Sequence, residues 1–252
     1  MSTNTLDKLK TYLDALVIEV LRADQSYHLM TEIGHVAADI NAKNYGELFE
    51  FIQSTLSDRF TLALSKIFDK VDRRYPTQTV SSVLSLLETE GNALPVRQPI
   101  VVLRAVRSWP DSGLPSHPSD QEITHCIIRH YRHSMPSLDT VAGCDLGRAL
   151  DALKANRDKK VAHSEAIQSS ELPKTTWTAA YNLLQWAKDF IGTLGWAYLS
   201  VAYTDDSGNY FLESDAMRVA AALKRLLSAA GVTDKEHQRP NQQMHGTAYR
   251  RP

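Results

Sequence analysis

Residues 156–165, NRDKKVAHSE, bring an arginine, an aspartate, two lysines and a histidine into one short segment. At roughly 100° per residue, Arg157 falls within about 40° of the preceding leucines of its helix; these are Leu146, Leu150 and Leu153. Arg157 thus occupies an apolar stripe, and Lys160 and His163 follow on the same side of the helix. Because an unpaired buried charge is strongly destabilising, this arginine must find an anion or remain partly in water.

The types of these side chains suit phosphate chemistry. A guanidinium group can donate two parallel hydrogen bonds to a phosphate, and a histidine that titrates near neutrality can move a proton on or off an oxygen. Metal-independent RNA cleavage needs both functions. Three anions remain open for Arg157: a carboxylate elsewhere in the fold, a group on a facing subunit, or a substrate phosphate.

A second basic segment, THCIIRHYRHS at 124–134, carries three histidines and two arginines. Arg129 and Arg132 would repel a cation, and no carboxylate or thiolate pattern completes a site, so we expect no metal and no cofactor. We predict instead that both arginines contact RNA phosphates, with Tyr131 available for base stacking. An ordinary solvated helix face is the alternative.

The composition limits the class of protein. A formal net charge of -1 over 252 residues excludes a globally basic surface, so a nucleic-acid site must be a local patch. The two cysteines, Cys126 and Cys144, fit a reducing compartment better than a disulfide scaffold. The N-terminus lacks the pattern of a signal peptide, and the most apolar stretch, 190–203, is shorter than the roughly 20 residues of a membrane span. We therefore expect a cytoplasmic protein with no membrane segment.

Helical periodicity dominates the chain and predicts an all-α domain over 1–231. The predicted helices are 6–22, 45–71, 79–91, 137–163, a long segment from Pro173 to about 203, and 215–231 after Ser214 as N-cap. Gly91 and Gly231 are predicted to end their helices in the left-handed conformation. Asp69 and Lys70 close the helix of 45–71, where a lysine complements the helix dipole, and no site role is predicted for them.

The middle of the chain and its end are less regular. Residues 97–109 are rich in β-branched side chains and are open to a strand interpretation. Ser119 and Glu122 form a capping box that predicts the start of a helix. We interpret 92–135 as an irregular insertion and the polar, aperiodic tail, 232–252, as disordered.

The motif resembles the signature of the HEPN superfamily of helical ribonucleases and nucleic-acid-associated toxins, an arginine and a histidine separated by four to six residues. Arg157 and His163 are separated by Asp158 to Ala162. The fuller pattern, Arg-(Asn/Asp)-Lys-x-x-Ala-His, is similar to the abortive-infection U branch. LALSKIFDK, TVSSVLSLL and YNLLQWAKDFI resemble flanking helices of that branch, so that the resemblance covers about 45–203. The resemblance also allows Asp69 to lie near the motif, although no role is predicted for it.

The resemblance implies a HEPN-like helical bundle that acts in phage defence or in a toxin–antitoxin pair. It implies a metal-independent endoribonuclease in which Arg157 binds the scissile phosphate and His163 transfers protons or orients the ribose 2′-hydroxyl. Asp158 would hold the arginine or histidine, and Lys159 and Lys160 would contact RNA. The products would carry 2′,3′-cyclic phosphate ends. The resemblance also implies a homodimer and allows an antitoxin partner.

Two other interpretations of the same residues remain open. The first is a non-catalytic helical module that binds RNA, a nucleotide or a protein through an arginine-centred cleft. The second is an interaction protein in which Arg157 makes only an intersubunit salt bridge.

Overall fold

The computed structural model describes residues 2–71, 77–110, 112–136, 145–158, 173, 175–203, 210–211 and 213–233. Within these ranges the chain is helical and contains no strand, which confirms the all-α prediction. The helices are α1 (Ser2–His35), α2 (Ala37–Ala42), α3 (Gly46–Ile67), α4 (Val80–Glu90), a 3-10 turn (Gly91–Ala93), α5 (Pro99–Arg107), α6 (Asp120–Ser134), α7 (Asp145–Asn156), α8 (Trp177–Leu194), a π turn (Gly195–Leu199) and α9 (Glu213–Ala229).

Helix α1 is the central element of the bundle. Its apolar stripe repeats every three or four residues and is fully buried; it comprises Leu9, Leu13, Leu16, Val20 and Ala23. Helix α3 runs antiparallel beside it, since Lys66 pairs with Glu19 at one end and Arg59 bonds Gln25 further along. Helices α4, α8 and α9 also pack on α1. Helix α3 also packs against α7 and α8.

The strand interpretation of 97–109 is wrong, because α5 occupies most of this segment. Val102 and Val106 lie one turn apart and are buried, while Ile100 is exposed. That spacing has the helical period, and Pro99 at the first position suits a helix start. Packing on neighbouring helices therefore outweighs the β propensity of the valines.

Helix α6 belongs to the same core, although whether 92–135 is an insertion stays a prediction. Ile123, Ile127 and Tyr131 are buried in the cluster that contains the α1 stripe. The Tyr131 hydroxyl is within hydrogen-bond distance of the Asp189 carboxylate and the Thr193 hydroxyl, at 2.9 and 2.8 Å. Helix α6 is therefore tied to α8 as well as to α4.

The helix ends test the capping predictions. The capping box is confirmed: Glu122 N donates to Ser119 Oγ, and Ser119 N donates to Glu122 Oε2. Gly231 has φ of 68°, as predicted. Gly91 has φ of -65°, so its prediction is wrong, because the chain continues into the 3-10 turn rather than reversing.

Two helix starts also differ from prediction. Helix α8 begins at Trp177 rather than at about Pro173, and the side chain of Thr176 caps it by accepting a hydrogen bond from Ala179 N. Helix α9 begins at Glu213, and Ser214, the predicted N-cap, donates to the Phe211 carbonyl instead.

A buried charge cluster attaches α9 to α1 and α8. Lys188 Nζ donates to Asp24 Oδ1 at 2.8 Å and lies 3.4 Å from Glu213 Oε2. His28 Nε2 lies 3.6 Å from Asp24 Oδ1 and 3.7 Å from Glu213 Oε1. Because Lys188 and Asp24 are almost fully buried, each provides the other's principal counter-charge.

Within the described ranges, no helix combines the length and apolar character that crossing a bilayer requires. Val232 and Thr233, which the sequence places in the tail, are buried. The rest of the predicted disordered tail, 234–252, lies outside the described residues.

Candidate functional site

The predicted motif begins where α7 ends. Leu150 and Leu153 are buried, and Arg157 follows Leu153 by about one turn with 22% of its side chain exposed. Helix α7 packs against α3 and α8, so its apolar face points into the bundle. The structure confirms that Arg157 continues a buried stripe while its side chain still reaches solvent.

Two carboxylates hold the guanidinium group of Arg157. Nη1 donates to both oxygens of Asp69, at 2.8 and 3.0 Å, and Nε donates to Asp158 Oδ1 at 2.6 Å. Asp69 follows the end of α3, 88 positions before the arginine. Of the three anions that the sequence left open, carboxylates of the same chain therefore contact Arg157.

A second cation, Lys154, lies beside this ion pair. Its Nζ donates to the Phe68 carbonyl at 2.9 Å and lies 3.7 Å from Asp69 Oδ1, and the side chain is only 16% exposed. Lys154 was not singled out from the sequence, and Asp69 was given no role there, although the family resemblance allowed it to lie near the motif. One signal was present: Lys154 precedes Arg157 by three positions, the spacing of neighbours on one helix face.

The electrostatics of the cluster follow from its burial and its charges. Burial opposes the charge of Arg157, but hydrogen bonds to Asp158 and Asp69 outweigh burial and raise its pKa. Burial lowers the pKa of Lys154, and the charges of Arg157 and Lys70 lower it further against the attraction of Asp69. Two cations and two carboxylates give the cluster no net formal charge.

This arrangement presents an oriented guanidinium group to solvent. Asp158 is its most exposed partner, with 54% of the side chain accessible, so an incoming anion can displace that carboxylate more easily than Asp69. Asp158 was predicted to hold the arginine or the histidine in place. Its contact with Arg157 agrees with that role, and the role itself stays a prediction. The remaining predicted residues, Lys159, Lys160 and His163, lie outside the described residues.

The basic segment on α6 has a different environment. Arg132 forms a two-point ion pair with Glu88, with Nε–Oε1 at 2.7 Å and Nη2–Oε2 at 2.8 Å. Arg129 donates to the Ser112 carbonyl at 2.9 Å. Tyr131 is fully buried, so the prediction that it stacks on RNA bases is wrong. Its aromatic ring fills the core between α6 and α8 instead.

The histidines of α6 give no metal centre. His130 stacks on Trp109 with ring centroids 3.8 Å apart, and His125 and His133 are exposed. Across the part of the chain that the structure describes, no three His, Cys, Asp or Glu side chains are grouped to hold a metal ion.

Comparison with known proteins bears on the whole bundle. The family model HEPN_AbiU2, with the description AbiU2, matches residues 6–219. This range runs from α1 into α9 and includes Asp69, Lys154 and the motif that starts at Arg157. Comparisons with curated proteins and with solved structures give no match.

Proposed function

Because the chain belongs to the AbiU2 family, a HEPN-type abortive-infection family, we propose that it is a metal-independent endoribonuclease of a phage-defence or toxin–antitoxin system. One observation carries the proposal. Arg157 is half-buried and oriented by two carboxylates, six positions before a histidine. An oriented arginine at the edge of solvent is suited to bind a phosphodiester.

The proposed reaction is transesterification within the RNA. The ribose 2′-oxygen attacks the adjacent phosphorus while the bond from phosphorus to the 5′-oxygen breaks. His163 accepts the proton of the 2′-hydroxyl or orients that group, and the departing 5′-oxygen takes up a proton. Arg157 offsets the negative charge that develops on the phosphate oxygens. The products are a 2′,3′-cyclic phosphate and a 5′-hydroxyl, and neither water nor metal is consumed.

The proposal extends to the surroundings of the site. Lys159 and Lys160 contact flanking phosphates. When the substrate enters, the hydrogen bond from Nε of Arg157 to Asp158 breaks and Nε donates to the phosphate instead. Two copies of the chain form a homodimer, and the protein acts on cytoplasmic RNA. An antitoxin protein is a further proposed partner.

A second candidate is a non-catalytic helical module that binds RNA, a nucleotide or a protein partner. The observation that favours it is the engagement of Arg157 at Nη1 and Nε by carboxylates of its own chain. A module of this kind would need the arginine for affinity alone.

The test is cleavage of labelled single-stranded RNA by purified protein in EDTA, with the ends of the products identified. We expect 2′,3′-cyclic phosphate ends, and a loss of at least about 100-fold in rate for Arg157→Ala and for His163→Ala. Arg225→Ala, which changes an exposed arginine on α9, serves as the matched control and keeps full activity. Binding without cleavage supports the module. Absence of both RNA binding and RNA cleavage overturns the endoribonuclease and leaves the module only a nucleotide or a protein as its partner.

A further inference from the structure

Asp69 lies between two cations that bind it at different distances. Its Oδ1 is 2.8 Å from Nη1 of Arg157 and 3.7 Å from Nζ of Lys154. Shortening the second distance by about 1 Å would make it a normal hydrogen bond. An ammonium group has three donors, so Lys154 can bind Asp69 while it keeps its bond to the Phe68 carbonyl.

The charges around Arg157 show why a second cation matters for anion binding. Arg157 with Asp69 and Asp158 has a formal charge of minus one, and Lys154 brings the cluster to zero. Without Lys154, a phosphate would approach an arginine outnumbered by carboxylates. Since the arginine and the lysine are both largely buried, bulk salt screens these interactions weakly.

We propose that Lys154 is a positioning residue that takes over Asp69 when a substrate phosphate arrives. The carboxylate passes from Arg157 to Lys154, and Nη1 of Arg157 becomes free to donate to the phosphate. Asp69 orients the arginine in the free protein and is held by the lysine in the complex. The inference rests on the proposed function, because it takes an RNA phosphodiester as the anion that Arg157 binds.

A purely structural role for Lys154 makes different predictions. The bond from Nζ to the Phe68 carbonyl satisfies a backbone acceptor at the end of α3, where a cation also complements the helix dipole. Loss of that bond alone would lower stability. It would not weaken RNA binding selectively, and a change at Asp69 would not restore RNA binding.

The experiment is a double-mutant cycle in which RNA affinity is measured. The probe is a fluorescently labelled, mixed-sequence 2′-O-methyl RNA, which lacks the attacking hydroxyl and cannot be cleaved by the proposed reaction. Fluorescence anisotropy gives the Kd for the wild type, Lys154→Met, Asp69→Asn and the double variant. We expect Lys154→Met to raise the Kd about tenfold, or about 1.4 kcal/mol. The double variant should return to within about threefold of the wild type, because no full carboxylate charge then needs a new partner.

Lys154→Arg keeps the charge and should also bind within about threefold of the wild type. Thermal unfolding confirms that each variant is folded, and Lys154→Gln replaces Lys154→Met if the methionine variant does not fold. Wild-type affinity in Lys154→Met overturns the inference, and so does a double variant as weak as Lys154→Met. Failure of the premise that Arg157 binds an RNA phosphate looks different: Arg157→Ala would then bind this RNA as the wild type does. Failure of the nuclease proposal alone would show as binding of unmodified RNA without its cleavage.

Discussion

At Arg157, a charged side chain takes a position where the helix otherwise buries leucine, and two carboxylates offset the cost of that placement. One of them, Asp158, is adjacent in sequence, whereas Asp69 comes from the end of a different helix. The helical period places the arginine among buried leucines, and a charge at such a position requires an anion. The identity of that anion depends on how α3 and α7 pack, which local sequence does not encode.

Glu213 is a second residue whose charge the fold controls. His28, with Nε2 at 3.7 Å from its Oε1, and Lys188 lower the pKa of Glu213 from 4.5 to about 2, against the opposing effect of burial. Burial raises the pKa of the neighbouring Asp24, with Lys188 opposing. Both groups bind a proton as the pH falls, but because one pKa is lowered and the other raised, acid changes their contributions to stability with opposite signs.

The pKa of Glu213 predicts a contribution to acid stability. Since the folded value is below the unfolded one, the stabilisation is complete above about pH 5 and is lost as the pH falls towards 2. It amounts to at most about 3 kcal/mol. We expect the free energy of unfolding of Glu213→Gln, measured in urea from pH 7 to pH 3, to fall less with acid than that of the wild type.

The matched control is Glu50→Gln, which changes an exposed glutamate on α3 beyond its first turn. Its stability should follow the wild-type curve at every pH. Parallel curves for the wild type and Glu213→Gln would show that the cluster at Lys188 does not stabilise the ionised carboxylate.

At the level of elements, the sequence predicted helices where local signals and packing agree. The capping box at Ser119 and the left-handed Gly231 depend on neighbouring residues alone, and both are confirmed. The β-branched segment at α5 was misread because its partners are distant helices. Gly91 was misread because a glycine can also continue a helix into a 3-10 turn.

Helix α1 shows the same limit on a larger scale. Periodicity predicted 6–22, whereas the helix runs from Ser2 to His35. Beyond Arg22 the buried face includes the polar residues Asp24 and Ser26. Lys188 binds Oδ1 of Asp24, and the Ser26 hydroxyl donates to the Arg22 carbonyl. A hydrophobic pattern cannot reveal a buried face whose polar groups are paired.

Helix α6 carries a prediction about RNA contacts. If Arg129 and Arg132 contact phosphates, the double alanine variant should bind RNA more weakly and with a flatter dependence on salt. Each lost contact reduces the magnitude of the negative slope of log K against log salt by about 0.7 for a single strand. Because Glu88 already pairs with Arg132, Glu88→Gln should tighten binding in the wild-type background. Anisotropy from low to high salt measures both effects, and an unchanged slope would exclude α6 from the RNA surface.

On the scale of the whole molecule, the bundle brings the ends of α3 and α7 together and places Asp69, Lys154 and Arg157 in one cluster. The family match spans that assembly from α1 to α9. The sequence was sufficient to predict the fold class and the family, and it singled out Arg157 as the residue of an apolar stripe that requires an anion. The contacts of Asp69 with Lys154 and Arg157 emerged only from the packing, because they join residues at the ends of different helices.

The central claim is that the segment from Arg157 to His163 is an active site, and growth on induced expression tests it most directly. Cells expressing the wild type, Arg157→Ala, His163→Ala or Arg225→Ala are compared at matched levels of soluble protein. We expect the wild type and Arg225→Ala to arrest growth, and cells that express Arg157→Ala or His163→Ala to keep growing. Growth with Arg157→Ala that is indistinguishable from growth with the wild type would contradict the claim.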